Sequence, residues 1–307
     1  MAGALAGRTV LVTGAAGFLG TTLHPRLLAE GARVVSADNL SFARPDRAGG
    51  PEIRPVDIRD PKAVEALYAE SRPDLVLHLA AVANPRTCKK DFPLAFDVNV
   101  GGTQHLLRYA PPGARFFFMS SAAVYGEPLY LPLDEGHPRR GKDPYTVTKI
   151  IGEDLCQNYV ENYQRSVVVA RNFNTFGAGQ TGDYIVPQLI RQALTEGKIE
   201  LWDPRTVRDL TYVDNTVDAI VRLAASDRTG IFNIGSGRGV TVGELAQTVS
   251  RKLGDVPIVD LKKPALGSPL LISNNQRLKE LGWSERVGFD EGVDRTIAWM
   301  RGILAAA

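Results

Sequence analysis

Two cysteines and four histidines in 307 residues leave little from which to build a disulfide framework or a metal centre. Cys88 and Cys156 lie far apart in sequence, which predicts reduced thiols and a cytoplasmic protein. His24, His78, His105 and His137 show no metal-ligand spacing, so no metal is expected. An excess of one charge is also missing. Thirty-six basic side chains against 34 acidic ones give a formal net charge of +2, which predicts neither a nucleic-acid nor a membrane partner. The basic pairs Arg139-Arg140 and Lys262-Lys263 are short and read as solvated loops. No apolar run approaches the roughly 18 residues of a membrane span. Residues 1–8 are too short and too rich in Gly and Ala for a signal peptide.

What is present is an alternation of strands and helices. The pattern predicts strands over 8–14, 33–39, 52–57, 74–81, 115–121 and 166–173. Between them it predicts helices over 18–31, 61–72, 93–110 and 144–163, the third weakened by Gly101-Gly102. Strands that are nearly continuous apolar runs belong in a parallel sheet covered on both faces. The fold class expected is therefore α/β, a doubly wound parallel sheet. After about residue 175 the rhythm breaks into short helices (184–197, 214–225, 241–253, 290–303) and brief strands. We expect residues 1–173 to form a dinucleotide-binding domain. Residues 174–307 would form a smaller α/β C-terminal substrate lobe, some of whose elements can return to the first domain.

"TGAAGFLG" places Gly14, Gly17 and Gly20 between the first strand and the first helix. Such a loop allows a tight turn, a close backbone approach to a pyrophosphate and close packing of helix on sheet. The pyrophosphate would sit at the helix amino terminus, where unpaired N–H groups and the dipole favour an anion. Asp38 ends the second strand. Its carboxylate can accept hydrogen bonds from an adenosine ribose and would repel a 2′-phosphate, which favours NAD over NADP. Asp57, after the third strand, is placed to meet the adenine edge or to open the next helix.

Tyr145 and Lys149 are one turn apart at the start of a helix, hence on one face. A free tyrosine with a pKa near ~10 is too weakly ionised to act as a base at neutral pH. A neighbouring ammonium and a cationic nicotinamide stabilise the phenolate and lower that pKa. Ser120 and Ser121 end the fifth strand, at the carboxyl edge where open α/β sheets bind ligands, and either could supply a hydroxyl.

These features, with "ADNL", "VDIRD", "HLAA", "DVNVGGT", "SSAAVYGE", "YTVTK", "RNFNTFGAGQ", "RDLTYVDN" and "FNIGSG", span almost the whole chain. Together they resemble the extended short-chain dehydrogenase/reductase family, and within it the nucleotide-sugar epimerases and dehydratases. The resemblance implies a Rossmann domain, tightly held NAD and a nucleotide-diphosphate sugar as substrate. It implies Tyr145 as base, Lys149 as its electrostatic partner and ribose ligand, and Ser121 as the hydroxyl partner. Gly14, Gly17, Phe18 and Leu19 would hold the pyrophosphate, and Asp38 and Asn39 the ribose. Asp57 and Ile58 would lie at the adenine, and Ala80, Ala81 and Asn99 further along the cofactor. Phe173 would lie near the nicotinamide, and Asn174 and Arg208 would grip the substrate diphosphate. A homodimer through the helices over 93–110 and 144–163 is also implied.

Related dehydratases carry Thr-Asp-Glu after this serine, and decarboxylating members carry a Glu. Here the positions are Ala122 and Ala123, which have no side chain to move a proton. That leaves oxidation and return of hydride at one carbon, and the expected activity is a nucleotide-sugar epimerase acting at C4. The alternatives are a reductase or dehydrogenase with exchangeable cofactor, a dehydratase, and an idle NAD-sensing protein. The segments "DYIVPQ", "DPRTVRD" and "PALGSP" depart from the common UDP-galactose epimerases and imply a different set of substrate contacts.

Overall fold

The β-branched and aromatic runs become strands and the runs with helical spacing become helices. The computed structural model describes residues 3–43, 52–180, 184–264 and 270–306. The segment "PALGSP" therefore lies, beyond Pro264, outside the described residues. The chain divides into two units. One comprises Met1–Val124, Arg139–Asn172 and Val217–Phe232, and the other Tyr125–Pro138, Phe173–Thr216 and Asn233–Ala307.

The first half of the chain runs β1 (Thr9–Thr13), α1 (Phe18–Ala29), β2 (Arg33–Asp38), β3 (Ile53–Pro55), α2 (Pro61–Ser71) and β4 (Leu75–His78). It continues with α3 (Pro85–Lys90), α4 (Phe92–Phe96), a π-helical turn (Asp97–Gly102), α5 (Thr103–Tyr109) and β5 (Arg115–Ser121). After a short 3₁₀ turn (Ala122–Tyr125) come α6 (Pro144–Tyr163) and β6 (Val167–Asn172). Next are β7 (Asn174–Phe176), α7 (Ile185–Thr195), β8 (Ile199–Leu201), β9 (Val207–Tyr212), α8 (Val213–Ala225) and β10 (Gly230–Ile234). The chain ends with β11 (Gly239–Thr241), α9 (Val242–Lys252), β12 (Ile258–Asp260), β13 (Leu270–Leu271), α10 (Gln276–Lys279) and α11 (Phe289–Ala306).

The seven-stranded sheet has the order β10-β6-β5-β4-β1-β2-β3. Pairings from β6 across to β3 are parallel and place Leu11 beside Val35 and Val76. One face buries Phe116 and Phe118 against Val64, Leu67, Leu106 and Cys156 of α2, α5 and α6. On the other face Arg26 of α1 meets Asp218 of α8 at 3.0 Å. The sheet is thus doubly wound, as expected.

The helix expected over 93–110 is helical throughout but passes through a π turn at the glycine pair. The turn carries Asn99 inward, where it is 2% exposed. Arg139 and Arg140 lie exposed in a loop, as expected, and Arg139 also pairs with Asp154 at 2.6 Å and reaches Glu153 at 3.4 Å, because α6 presents both carboxylates to it.

The second unit has a small sheet in which β9 pairs with β7 and β13 in parallel and with β11 antiparallel. A capping box between Thr241 and Glu244 starts α9. Lys252 near its end binds Asp290 and Asp294 of α11, each at 2.8 Å.

Candidate active site

At Gly14 the chain turns with φ +75°, and a Cβ there would stand 2.6 Å from the Ala80 backbone nitrogen. A Cβ on Gly20 would stand 2.5 Å from the Gly14 carbonyl, so only glycine lets α1 close on β1. Gly17 caps α1 without a side-chain hydrogen bond, and no acidic residue lies in the first turn. Phe18 and Leu19 are half-buried in that turn. The uncontested N–H groups fit a pyrophosphate.

The next strands supply the polar groups. Asp38 accepts from the Ala16 N–H at 3.0 Å and the Leu40 N–H at 2.7 Å, which fixes its carboxylate beside the glycine loop. Each oxygen keeps a lone pair for a ribose hydroxyl. The exposed Asn39 donates to Asp57 at 3.3 Å. Asp57 pairs with Arg59 at 2.6 Å, and the guanidinium hydrogen bonds hold its pKa down to about 2. Ile58 is buried, and its carbonyl meets His105 Nδ1 at 3.0 Å. A pocket of about 470 Å³ is lined by Asp57, Arg59, Asp60, Asp97, Gly101 and His105, and Tyr145 is not part of its lining. Ala80 and Ala81 follow β4 and are half-buried. Asn99 uses its side chain within the protein, accepting from Val82 N–H at 2.8 Å and donating to the Val82 carbonyl at 3.1 Å and to Thr148 at 2.9 Å.

α6 begins where Asp143 accepts from Thr146 N–H at 3.1 Å, with Pro144 in the first turn. This start puts Tyr145 in the first turn and Lys149 one turn on. Tyr145 is 9% exposed, in a cluster with Val82, Cys88 and Ala95 against which Ala123 packs. Lys149 is 4% exposed, its Nζ donating to the Met119 carbonyl at 2.8 Å and lying 4.9 Å from the Phe118 ring centre. Burial pushes its pKa down to about 8, opposed by the two cysteines and Glu153.

Strand alternation separates the two serines. Ser120 faces α6 and donates to Glu153 at 2.6 Å, where Glu153 also binds Arg171 at 2.7 Å. All three are buried, so Ser120 belongs to an internal ion network. Ser121 points to the other face at the strand end and accepts from Ala123 N–H at 3.2 Å. Of the two hydroxyls, Ser121 is the half-buried one beside the segment that packs on Tyr145.

In the second unit, Phe173 is buried 6.2 Å from the Tyr125 ring centre. Asn174 pairs in register with Leu210, so Asn174, Leu210 and Arg208 share one face of that sheet. Burial disfavours the Arg208 charge and lowers its pKa, a cost that an anion against the guanidinium would offset. Asp209 faces the other way, fully buried, accepting from Ser236, Gly237 and Ser273 at 2.5–3.0 Å. It thereby holds two segments, the loop after β10 and the residues after β13, to the strand that carries Arg208. Asp209, Glu153 and His78 were not singled out from the sequence. The available signal was a polar residue inside an otherwise apolar strand or helix.

Among the described residues no cluster of His, Cys, Asp and Glu is arranged to hold a metal, and no helix is long and apolar enough to cross a membrane. The UDP-glucose 4-epimerase of Mycolicibacterium smegmatis is 32% identical, the match covering 95% of this chain and 98% of that protein. The crystal structure of the Thermus thermophilus UDP-glucose 4-epimerase complex with NAD superposes with a TM-score of 0.88 at 32% identity, covering 96% of this chain and 99% of that one. The Thermotoga maritima UDP-glucose 4-epimerase with UDP-glucose gives 0.89 at 28% identity, with 96% and 99% covered. The chain is thus similar to NAD-dependent epimerases along nearly its full length, and NAD is its cofactor. A family model also matches residues 10–235, well over half of the sequence, and the chain belongs to the NAD-dependent epimerase/dehydratase family.

Proposed function

We propose that the protein interconverts nucleotide sugars that differ at C4, through a transient 4-keto sugar. When bound, the nicotinamide supplies hydride uptake and return, so the net redox change is zero. Tyr145 takes the proton from the C4 hydroxyl as its C–H bond breaks, and gives it back when the ketone is reduced on the opposite face. The Lys149 ammonium, protonated at pH 7 because its pKa is about 8, favours the phenolate. Ser121 shares the reacting oxygen and orients it. Arg208 and Asn174, on one sheet face, grip the diphosphate.

The observation that carries this reading is the Tyr145–Lys149 turn packed against a strand end that offers one available hydroxyl and then only Ala122 and Ala123. Elimination of water needs a further acid or base at the sugar, and those two side chains have none. Likeness to UDP-glucose 4-epimerases points the same way. The test is incubation with UDP-glucose, UDP-galactose and other nucleotide sugars under NMR. Appearance of the C4 epimer alone supports the proposal. Accumulation of a 4-keto or dehydrated product, or a stoichiometric NADH absorbance change, overturns it, the last in favour of a reductase or dehydrogenase.

A cytoplasmic homodimer belongs to this reading. Cys88 and Cys156 are free and buried, as in a reducing compartment. Phe92 and Phe96, exposed on α4 with ring centres 6.0 Å apart, give apolar surface for a subunit contact. Light scattering at twice the mass of one chain supports the dimer, and the mass of one chain refutes it.

A further inference from the structure

Thr13, His78, Asn99, Thr103 and Thr148 come from β1, β4, the π turn, α5 and α6, and each is at most 2% exposed. Their hydrogen bonds form two runs that meet at Asn99, one ending on its backbone carbonyl and the other starting from its side-chain amide, and the direction of each can be read from the hydroxyls. Thr148 donates to the Tyr145 carbonyl at 2.7 Å and accepts from Asn99 Nδ2 at 2.9 Å. Thr103 donates to the Asn99 carbonyl at 2.6 Å. A hydroxyl has one proton, so Thr103 must accept from His78 Nε2 at 2.9 Å. That sets the tautomer: Nε2 carries the proton, and Nδ1 accepts from Thr13 at 2.9 Å. All five bonds therefore point from the strand under the glycine loop to the first turn of α6. Within each run, aligned bonds in a low-dielectric interior strengthen one another, and the Asn99 residue itself links the two runs.

We propose that His78 is a positioning residue which, through Thr103, Asn99 and Thr148, ties the cofactor-loop strand to the Tyr145 peptide and sets how the phenol meets the Lys149 charge. This rests on the reading of Tyr145 as base. His78 acts through Tyr145 and not on substrate. The competing explanation is packing alone. The imidazole lies 6.0 Å from the Phe116 ring and 5.7 Å from the Phe118 ring, a site a phenyl ring would also fill.

The test uses the full chain with NAD bound and the variants His78→Phe, Thr148→Val and Thr148→Ser. The Tyr145 phenolate is titrated as the absorbance difference between each protein and the same protein carrying Tyr145→Phe. Turnover is measured with UDP-glucose, and the His78 tautomer by nitrogen NMR. In the unsubstituted protein His78 shows the Nε2-protonated neutral form at pH 5, because burial holds its pKa down to about 3. His78→Phe and Thr148→Val raise the phenolate titration by roughly half a unit or more and lower kcat about tenfold with KM within about twofold, while Thr148→Ser restores both. A variant carrying both His78→Phe and Thr148→Val loses less than the product of the single losses, as coupled residues do.

An Nδ1-protonated His78 would draw the single Thr103 proton away from the Asn99 carbonyl to Nε2, breaking the connection there, and overturns the proposal. A phenolate titration unmoved in both disrupting variants, with only the melting temperature lowered, also overturns it in favour of packing. If His78→Phe does not fold, Thr148→Val and Thr103→Val decide by the same readout. Unimpaired turnover in Tyr145→Phe would refute Tyr145 as base, yet the phenolate titration would still judge His78, so the two failures are distinguishable.

Discussion

At the β1–β2–β3 end of the sheet edge, Asp38, Asn39 and Asp57 are held by loop N–H groups and by Arg59, with solvent at hand. At the β4–β5 end, Lys149, Glu153, Asn99 and His78 are each at most 4% exposed and bound only to other parts of the protein. The first arrangement is screened and adjustable, suited to recognising a ribose and a base. The second is over-determined. Removing one partner there leaves a charge or a dipole in a low-dielectric interior, where water cannot compensate it.

Substitutions at the two ends can break this comparison. The largest effect is expected at the buried end, where Tyr145→Phe should lower kcat by roughly 10²–10⁴-fold with NAD binding retained. Fluorescence quenching by NAD beside the epimerase assay would check both halves. Glu153→Ala should follow, because it strands Arg171 without its carboxylate, a loss of about 3–5 kcal/mol in urea unfolding. An unchanged midpoint would mean that the buried network is not strongly coupled.

The third effect depends on pH. His78 has a folded pKa near 3 against an ordinary 6.5, so the unfolded chain binds the extra proton between those values. Stability should therefore fall as pH drops from 6.5 toward 3, and His78→Phe should lack that component. Melting curves across the interval would show whether the two slopes differ.

The exposed end should respond less. Asp38→Asn should weaken NAD about tenfold and narrow the preference over NADP, by loss of a charged acceptor. Equal NADP exclusion in the variant would move that role elsewhere. Asp57→Asn should change folding stability by less than about 1 kcal/mol, because solvent screens its pair with Arg59. A loss as large as that of Glu153→Ala would erase the distinction between the two ends.

Much of the first unit was legible in one dimension. The helix expected over 144–163 is observed as Pro144–Tyr163, because an Asp143 cap and a proline mark its start locally. The glycine loop was equally plain, since backbone approach requires missing side chains. The short α3 and α10 were not anticipated. Helices of 6 and 4 residues leave too little periodicity to detect. The seventh strand, β10, is contributed by residues well past the last strand of the initial alternation, and its place beside β6 follows from sheet pairing rather than from spacing.

The sequence by itself determined the alternation of strands and helices, the turn before α1 and the shared face of Tyr145 and Lys149. Each depends on residues within one or two turns of chain. Tertiary structure supplied the physical reason why Ser121, the serine the resemblance singled out, is the available one, and it alone decided which polar groups are buried beside it. Ser120 became internal because Glu153, 33 residues away, stands opposite its face of the strand. His78 acquired its tautomer from Thr13 and Thr103, 65 and 25 residues away in opposite directions. Side-chain periodicity is local, whereas a hydrogen-bond partner is chosen by the packing of elements that meet only after the chain has folded.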